Sequence, residues 1–79
     1  MQSQFSPKAF AERLRAMRED RDLTQAQISE KLNLERSSYT RYEIEDTEPS
    51  LDSLFILADF YKTSIDYLVC RTNNPKPYK

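Results

Sequence analysis

The 79-residue chain contains no glycine, no histidine and no tryptophan, and its one cysteine is Cys70. The missing glycine, the missing histidine and the lone cysteine each exclude a class of chemistry. Without glycine, the phosphate-cradling loops of nucleotide-hydrolysing enzymes cannot form, because each needs a close backbone approach that a Cβ blocks. Without histidine, the usual Cys/His zinc sites and every Ser/His or Cys/His nucleophile pair are ruled out. A lone cysteine forbids an internal disulfide, and packing is the expected role of Cys70. The longest unbroken apolar run, Leu54 to Ala58, falls far short of a membrane span. The opening MQSQFS lacks the basic and apolar regions of a secretory signal. These absences predict a cytoplasmic protein that is not an enzyme, with no cofactor, no metal and no membrane partner.

What is present favours helices. Leu, Ile, Val and Phe make up about 22% of the chain, only one of the 13 Leu, Ile and Val residues is a valine, and 32% of residues are charged. Scarce β-branched residues and abundant straight-chain charged ones suit helix over strand. A net charge of -1 removes the self-repulsion that accompanies disorder. The expectation is one small all-α domain, whose length allows burial of about 60% of the unfolded surface.

Caps and apolar spacing divide the chain into five helices. Ser6-Pro7 reads as an N-cap followed by proline at the first helical position, and Phe10, Leu14 and Met17 recur at i, i+4, i+7, so helix 1 runs from about Pro7 to Arg21. Thr24 and Gln27 have capping-box spacing, which starts helix 2, Gln25 to Leu32, with Ala26, Ile28 and Leu32 as its apolar positions. Asn33 suits a left-handed turn. Glu35 then caps helix 3, Arg36 to Glu43, whose bulky positions are Tyr39 and Tyr42. Pro49 disfavours helix at Glu48, and Ser50 caps helix 4, Leu51 to Tyr61, with Leu54, Leu57, Ala58 and Tyr61 on one face. Ser64 caps a last helix, Ile65 to Cys70. Residues 1–6 form an N-terminal arm, 7–70 the domain, and 71–79, with two prolines and two asparagines, a frayed or extended tail.

The ordered set Leu23-Thr24-Gln25, Arg41-Tyr42-Glu43, Pro49-Ser50-Leu51, Leu57-Ala58-Asp59 and Asp66-Tyr67-Leu68, at these spacings, resembles the helix-turn-helix domain of the Cro/cI (Xre) family of phage and bacterial repressors. The resemblance covers about residues 8–70. It implies a compact five-helix fold with the helix-turn-helix at helices 2 and 3, and a regulator that binds double-stranded DNA by placing helix 3 in the major groove. The solvent-facing positions of helix 3 are then Arg36, Ser37, Thr40 and Arg41. Either guanidinium can fork onto guanine O6 and N7, and Ser37 and Thr40 can bond to a base or a phosphate. Gln25 falls on a phosphate-contacting position, which agrees with the pull of a helix N-terminus on anions, and Thr24 and Ser38 are expected to share that role. Arg18 and Glu43 fall on the family's positions for a buried ion pair joining helices 1 and 3. Asp22, Asn33 and Lys62 take places where the family often has glycine after a helix, so each is expected near a left-handed conformation.

Repressors of this family bind paired half-sites as dimers, and Phe55, Ile56 and Phe60 lie off the expected core face of helix 4, so they form the candidate homodimer patch. The charge balance pulls the other way. Residues 1–41 carry a net +2 and residues 42–79 a net -3, and the loop after helix 3 reads Ile44-Glu45-Asp46-Thr47-Glu48, whose carboxylates would repel DNA if they faced it. The alternative is therefore a protein-interaction module on the same fold, an antitoxin or anti-repressor, docking through its acidic C-terminal half.

Overall fold

The structure is a computed structural model that describes residues 5–44 and 48–76. Among these residues it is all-helical: α1 (Pro7–Asp20), α2 (Gln25–Lys31), α3 (Arg36–Glu43), α4 (Leu51–Tyr61) and α5 (Ile65–Leu68). The five expected helices are all present. Three of them stop one or two residues early, at Asp20, Lys31 and Leu68 in place of Arg21, Leu32 and Cys70.

The early stops share one cause. Asp22, Asn33, Lys62 and Cys70 all have φ between 56° and 68°. In each case the next residue's N–H returns to the carbonyl five positions back: Leu23 to Arg18 at 3.3 Å, Leu34 to Ser29 at 2.9 Å, Thr63 to Ala58 at 2.9 Å and Arg71 to Asp66 at 2.8 Å. This Schellman-type closure satisfies the last carbonyls of a helix and normally uses glycine at the left-handed residue. Here it recurs four times with a Cβ present. The starts are equally regular, since Ser6, Thr24, Ser50 and Ser64 each accept from the N–H three residues on. The Thr24–Gln27 box is complete in both directions. Glu35 is the exception: its backbone takes the cap geometry, but its carboxylate makes no capping bond, and the preferred capping side chains are the shorter Ser, Thr, Asp and Asn.

Phe10, Leu14 and Met17 of α1 pack with Ile28, Tyr39, Tyr42, Leu57, Ala58, Tyr61 and Leu68 to form the core. Ala26, expected to be inside, is exposed. It lies two residues before Ile28, on the opposite side of a 3.6-residue helix. Tyr42 ties α3 to α4 through a buried 2.9 Å hydrogen bond with Ser53. Residues 71–76 contain no helix. Arg13 of α1 donates to the carbonyls of Tyr67 (2.7 Å) and Thr72 (2.9 Å) and to Asn73 Oδ1 (3.1 Å), with its guanidinium stacked 4.1 Å over the Tyr67 ring. The Thr63 hydroxyl donates to the Pro75 carbonyl.

The expected α1–α3 ion pair is present. Arg18 Nε and Nη2 donate to the two oxygens of Glu43 at 2.7 and 3.0 Å, and the Glu43 side chain is fully buried. Burial is the largest single influence and pushes the Glu43 carboxyl up, but Arg18, through both its hydrogen bonds and its charge, together with Tyr39 and the Gln25 amide, holds the group below the usual carboxylate range. Removing one partner of a buried pair leaves an uncompensated charge and typically costs about 3–5 kcal/mol.

Because the Glu43 carboxyl titrates lower folded than unfolded, its contribution is present above the ordinary carboxylate pKa of about 4.3 and is lost as pH falls through the folded value. Arg18→Met should cost about 3–5 kcal/mol at neutral pH and distinctly less in acid, where protonation relieves the unpaired charge; thermal melts across about pH 3 to 8 would show the gap narrowing. At the glycine-free turns, Lys62→Gly should stabilise by under about 1 kcal/mol, a gain trimmed by the added freedom of the unfolded chain. Asn33→Gly should be nearly neutral, since asparagine tolerates this conformation. A Lys62→Gly protein that melts below the parent would contradict the left-handed geometry at residue 62.

Candidate nucleic-acid interface

Helices α2 and α3 are joined by Leu32 to Glu35, with Asn33 in the left-handed turn that lets the chain reverse tightly. Each step along α3 rotates by about 100°, so Arg36, Ser37, Thr40 and Arg41 share an arc of about 140°. Tyr39, Tyr42 and Glu43 occupy the opposite arc and are buried. Arg36, Ser37 and Arg41 are exposed, and Thr40 is half-buried at the edge nearest α2. Sequence spacing thus separated the two arcs of α3, except that Thr40, expected to face solvent, is half-buried because α2 crosses beside it.

The α2–α3 junction is held by polar bonds centred on Glu43. Gln25, the first residue of α2, donates from Nε2 to Glu43 Oε1 at 3.1 Å and accepts at Oε1 from the Thr40 hydroxyl at 3.0 Å. Ser29 is buried and donates to the Gln25 carbonyl at 2.7 Å, which steadies the residue from below. Arg15 completes the cluster, with Nη2 donating to the Glu43 carbonyl at 2.9 Å and Nε 3.6 Å from the carboxylate. Arg18 Nη1 also donates to the Leu23 carbonyl at 2.8 Å, so the same guanidinium holds the segment that leads into α2.

The sequence reading singled out Gln25 and Thr40 separately and missed their bond to each other. It also missed Arg15. A signal existed for Arg15, which stands three residues before Arg18 and so on a neighbouring line of α1. No spacing rule links Gln25 to Thr40, because the contact depends on how α2 crosses α3. Thr24 is exposed, with its hydroxyl oxygen accepting from Gln27 N–H at 3.0 Å, and Ser38 is half-buried on α3. In the candidate dimer patch, Phe55 is exposed and Ile56 half-buried. Phe60 is half-buried against the core, its ring edge-on to Tyr61 at 5.1 Å. The apolar side chains most open on α4 are Leu51 (72%) and Phe55 (67%), one helical turn apart. Glu45, Asp46 and Thr47 of the acidic loop lie outside the described residues, and Glu48 is exposed. No cluster of His, Cys, Asp and Glu among the described residues has the arrangement to hold a metal, and no helix is long and apolar enough to cross a membrane.

The comparisons with known proteins converge on this same segment. The helix-turn-helix family matches residues 14–68, from the middle of α1 to the end of α5. The chain is 43% identical over 68 residues to the uncharacterized HTH-type transcriptional regulator YobD of Bacillus subtilis (strain 168), an alignment covering 86% of this chain and 61% of YobD. It is 33% identical to the HTH-type transcriptional regulator ImmR of the same organism (77% of this chain, 48% of ImmR) and 32% identical to the HTH-type transcriptional activator BcrR of Enterococcus faecalis (76% and 29%). The chain therefore spans about three-fifths or less of the length of these relatives, each of which is named a transcriptional regulator or activator. No solved structure matches it at a significant level. With the buried Arg18–Glu43 pair, the α2-turn-α3 unit and a family match across most of its length, the chain belongs to the helix-turn-helix family of the Cro/cI (Xre) type.

Proposed function

We propose that this domain is a sequence-specific transcription regulator that lays α3 in the major groove of double-stranded DNA. One observation carries the reading: α3 presents Arg36, Ser37 and Arg41 outward from a backbone whose other side is fastened to α1 and α2 through Glu43. A helix fixed in this way delivers side chains to base edges in one orientation. In the proposed contact, Arg36 and Arg41 fork onto guanine, Ser37 and Thr40 meet base edges, and Thr24, Gln25 and Ser38 meet phosphates. On this reading the protein works in the cytoplasm of a phage host or bacterium.

Regulation by occupancy favours repression, with the bound domain blocking polymerase. BcrR is named an activator, so the sign of regulation follows from where the operator lies relative to the promoter. The domain acts as a homodimer on a palindromic operator, each copy supplying one α3. Its dimer face is centred on Leu51 and Phe55, with Ile56 beside them, and Phe60 acts from below by packing the helix onto the core. A second reading draws on the net -3 of residues 42–79. A protein-docking module would use that acidic half, and its affinity for DNA would vanish at physiological salt.

The primary test is selection of bound sequences from a random duplex pool; enrichment of a two-fold symmetric site supports the regulator reading, and no enrichment overturns it. Arg36→Ala and Arg41→Ala should each cost about 1–3 kcal/mol on the selected site, and at least one should relax base preference at a single position per half-site. Equal weakening on every sequence in matched and mismatched binding isotherms would make both residues phosphate contacts. Leu51→Glu combined with Phe55→Glu should yield a folded monomer by sedimentation, with operator binding much weakened because the two half-sites are no longer held by one particle. A double variant that still sediments as a dimer removes α4 from the interface.

A further inference from the structure

The hydrogen bonds at the α2–α3 junction run in one direction only, and this direction decides what Thr40 can recognise. Glu43 takes hydrogen bonds from Arg18 on both oxygens and is ionised, so it has no hydrogen to give. The Gln25 atom 3.1 Å from Glu43 Oε1 must then be the amide nitrogen, because the flipped carboxamide would set two acceptors against each other. That places the Gln25 carbonyl oxygen 3.0 Å from Thr40 Oγ1. An amide oxygen only accepts, so the Thr40 hydroxyl must donate to it. A hydroxyl has one hydrogen, and this one is spent inside the protein.

Resting on the DNA-binding reading above, we propose that Thr40 meets its base as an acceptor only, and so recognises the exocyclic amine of adenine or cytosine. Its remaining lone pairs cannot bond to phosphate, to guanine O6 or N7, or to thymine O4, all of which are acceptors. In the major groove the available donors are adenine N6 and cytosine N4. Thr40 is half-buried on the same line of α3 as the exposed Arg36, one turn earlier, and its β-branched side chain has few rotamers through which to escape the bond. The same chain gives Gln25 the opposite character. Its amide nitrogen has a second hydrogen, which suits a phosphate oxygen. Of the two roles open to Thr40 from sequence alone, base or phosphate, the bond to Gln25 leaves the base, and only one chemical class of base edge.

The test compares wild type, Thr40→Ser and Thr40→Val by selection from a random duplex pool, followed by binding to single-position variants of the selected site. Wild type and Thr40→Ser should favour adenine or cytosine at one position per half-site by about two- to twelvefold, the range of one neutral hydrogen bond. Thr40→Val should lose that preference and keep the others. Wild type should lose the same factor when the amine there is removed, by replacing adenine with purine or cytosine with 2-pyrimidinone; this arm decides the matter if Thr40→Val does not fold. Three results overturn the proposal while leaving DNA binding intact: unchanged preferences in Thr40→Val, equal loss on all sequences, or a Thr40-dependent preference for guanine or thymine. Failure of wild type to enrich any sequence would instead bring down the DNA-binding reading itself.

Discussion

The structure depends on one buried carboxylate. Glu43 ends α3 with its side chain shielded from water, and a charge in that position persists only when neutralised and hydrogen-bonded on every side. Arg18 from α1 and Gln25 from α2 meet that demand, and Arg15 adds a bond to the Glu43 carbonyl. Apolar contacts are non-directional and would tolerate some sliding of α3 across the core. A two-pronged guanidinium-carboxylate bond tolerates little, because two parallel hydrogen bonds must keep their length and alignment at once. The desolvation penalty offsets much of the attraction, so the pair matters more for the placement of α3 than for net stability.

That placement reaches the outer face through a short relay. The carboxylate orients the Gln25 amide, the amide orients the Thr40 hydroxyl, and Thr40 stands at the edge of the exposed arc formed with Arg36, Ser37 and Arg41. A charge buried under α3 thereby sets the hydrogen-bonding character of a neighbouring side chain at the edge of its exposed arc. The arrangement also bears on the chain's near-neutral charge, since a domain at -1 overall has little bulk attraction for a polyanion. Discrimination then has to come from a few well-held groups.

The absence of glycine makes the helix ends unusual. Four helices close through left-handed residues with side chains, and each sacrifices some local comfort for a turn that glycine would make freely. A glycine-free chain also has less conformational freedom to lose on folding, which returns part of that cost. Arg13 shows a related economy: one guanidinium stacks on Tyr67 and gathers the carbonyls of Tyr67 and Thr72, holding the segment after α5 against α1.

The five helices, their serine and threonine caps, the core stripe of α1 and the outward arc of α3 were legible in the residues, because each follows from local rules of spacing, capping and helical periodicity. The Arg18–Glu43 pair was legible only through family resemblance, since the two residues are 25 positions apart and no local rule joins them. Periodicity already sets Ala26 opposite Ile28, but the sequence could not show that Glu35 makes no capping bond, or that Phe60 lies on the core while Leu51 stands open. Those outcomes depend on which neighbour occupies the space beside each helix. The direction of the Thr40–Gln25–Glu43 relay belongs to the same class: donors and acceptors are written in the sequence, but which one faces which is decided only when three helices converge on a single buried charge.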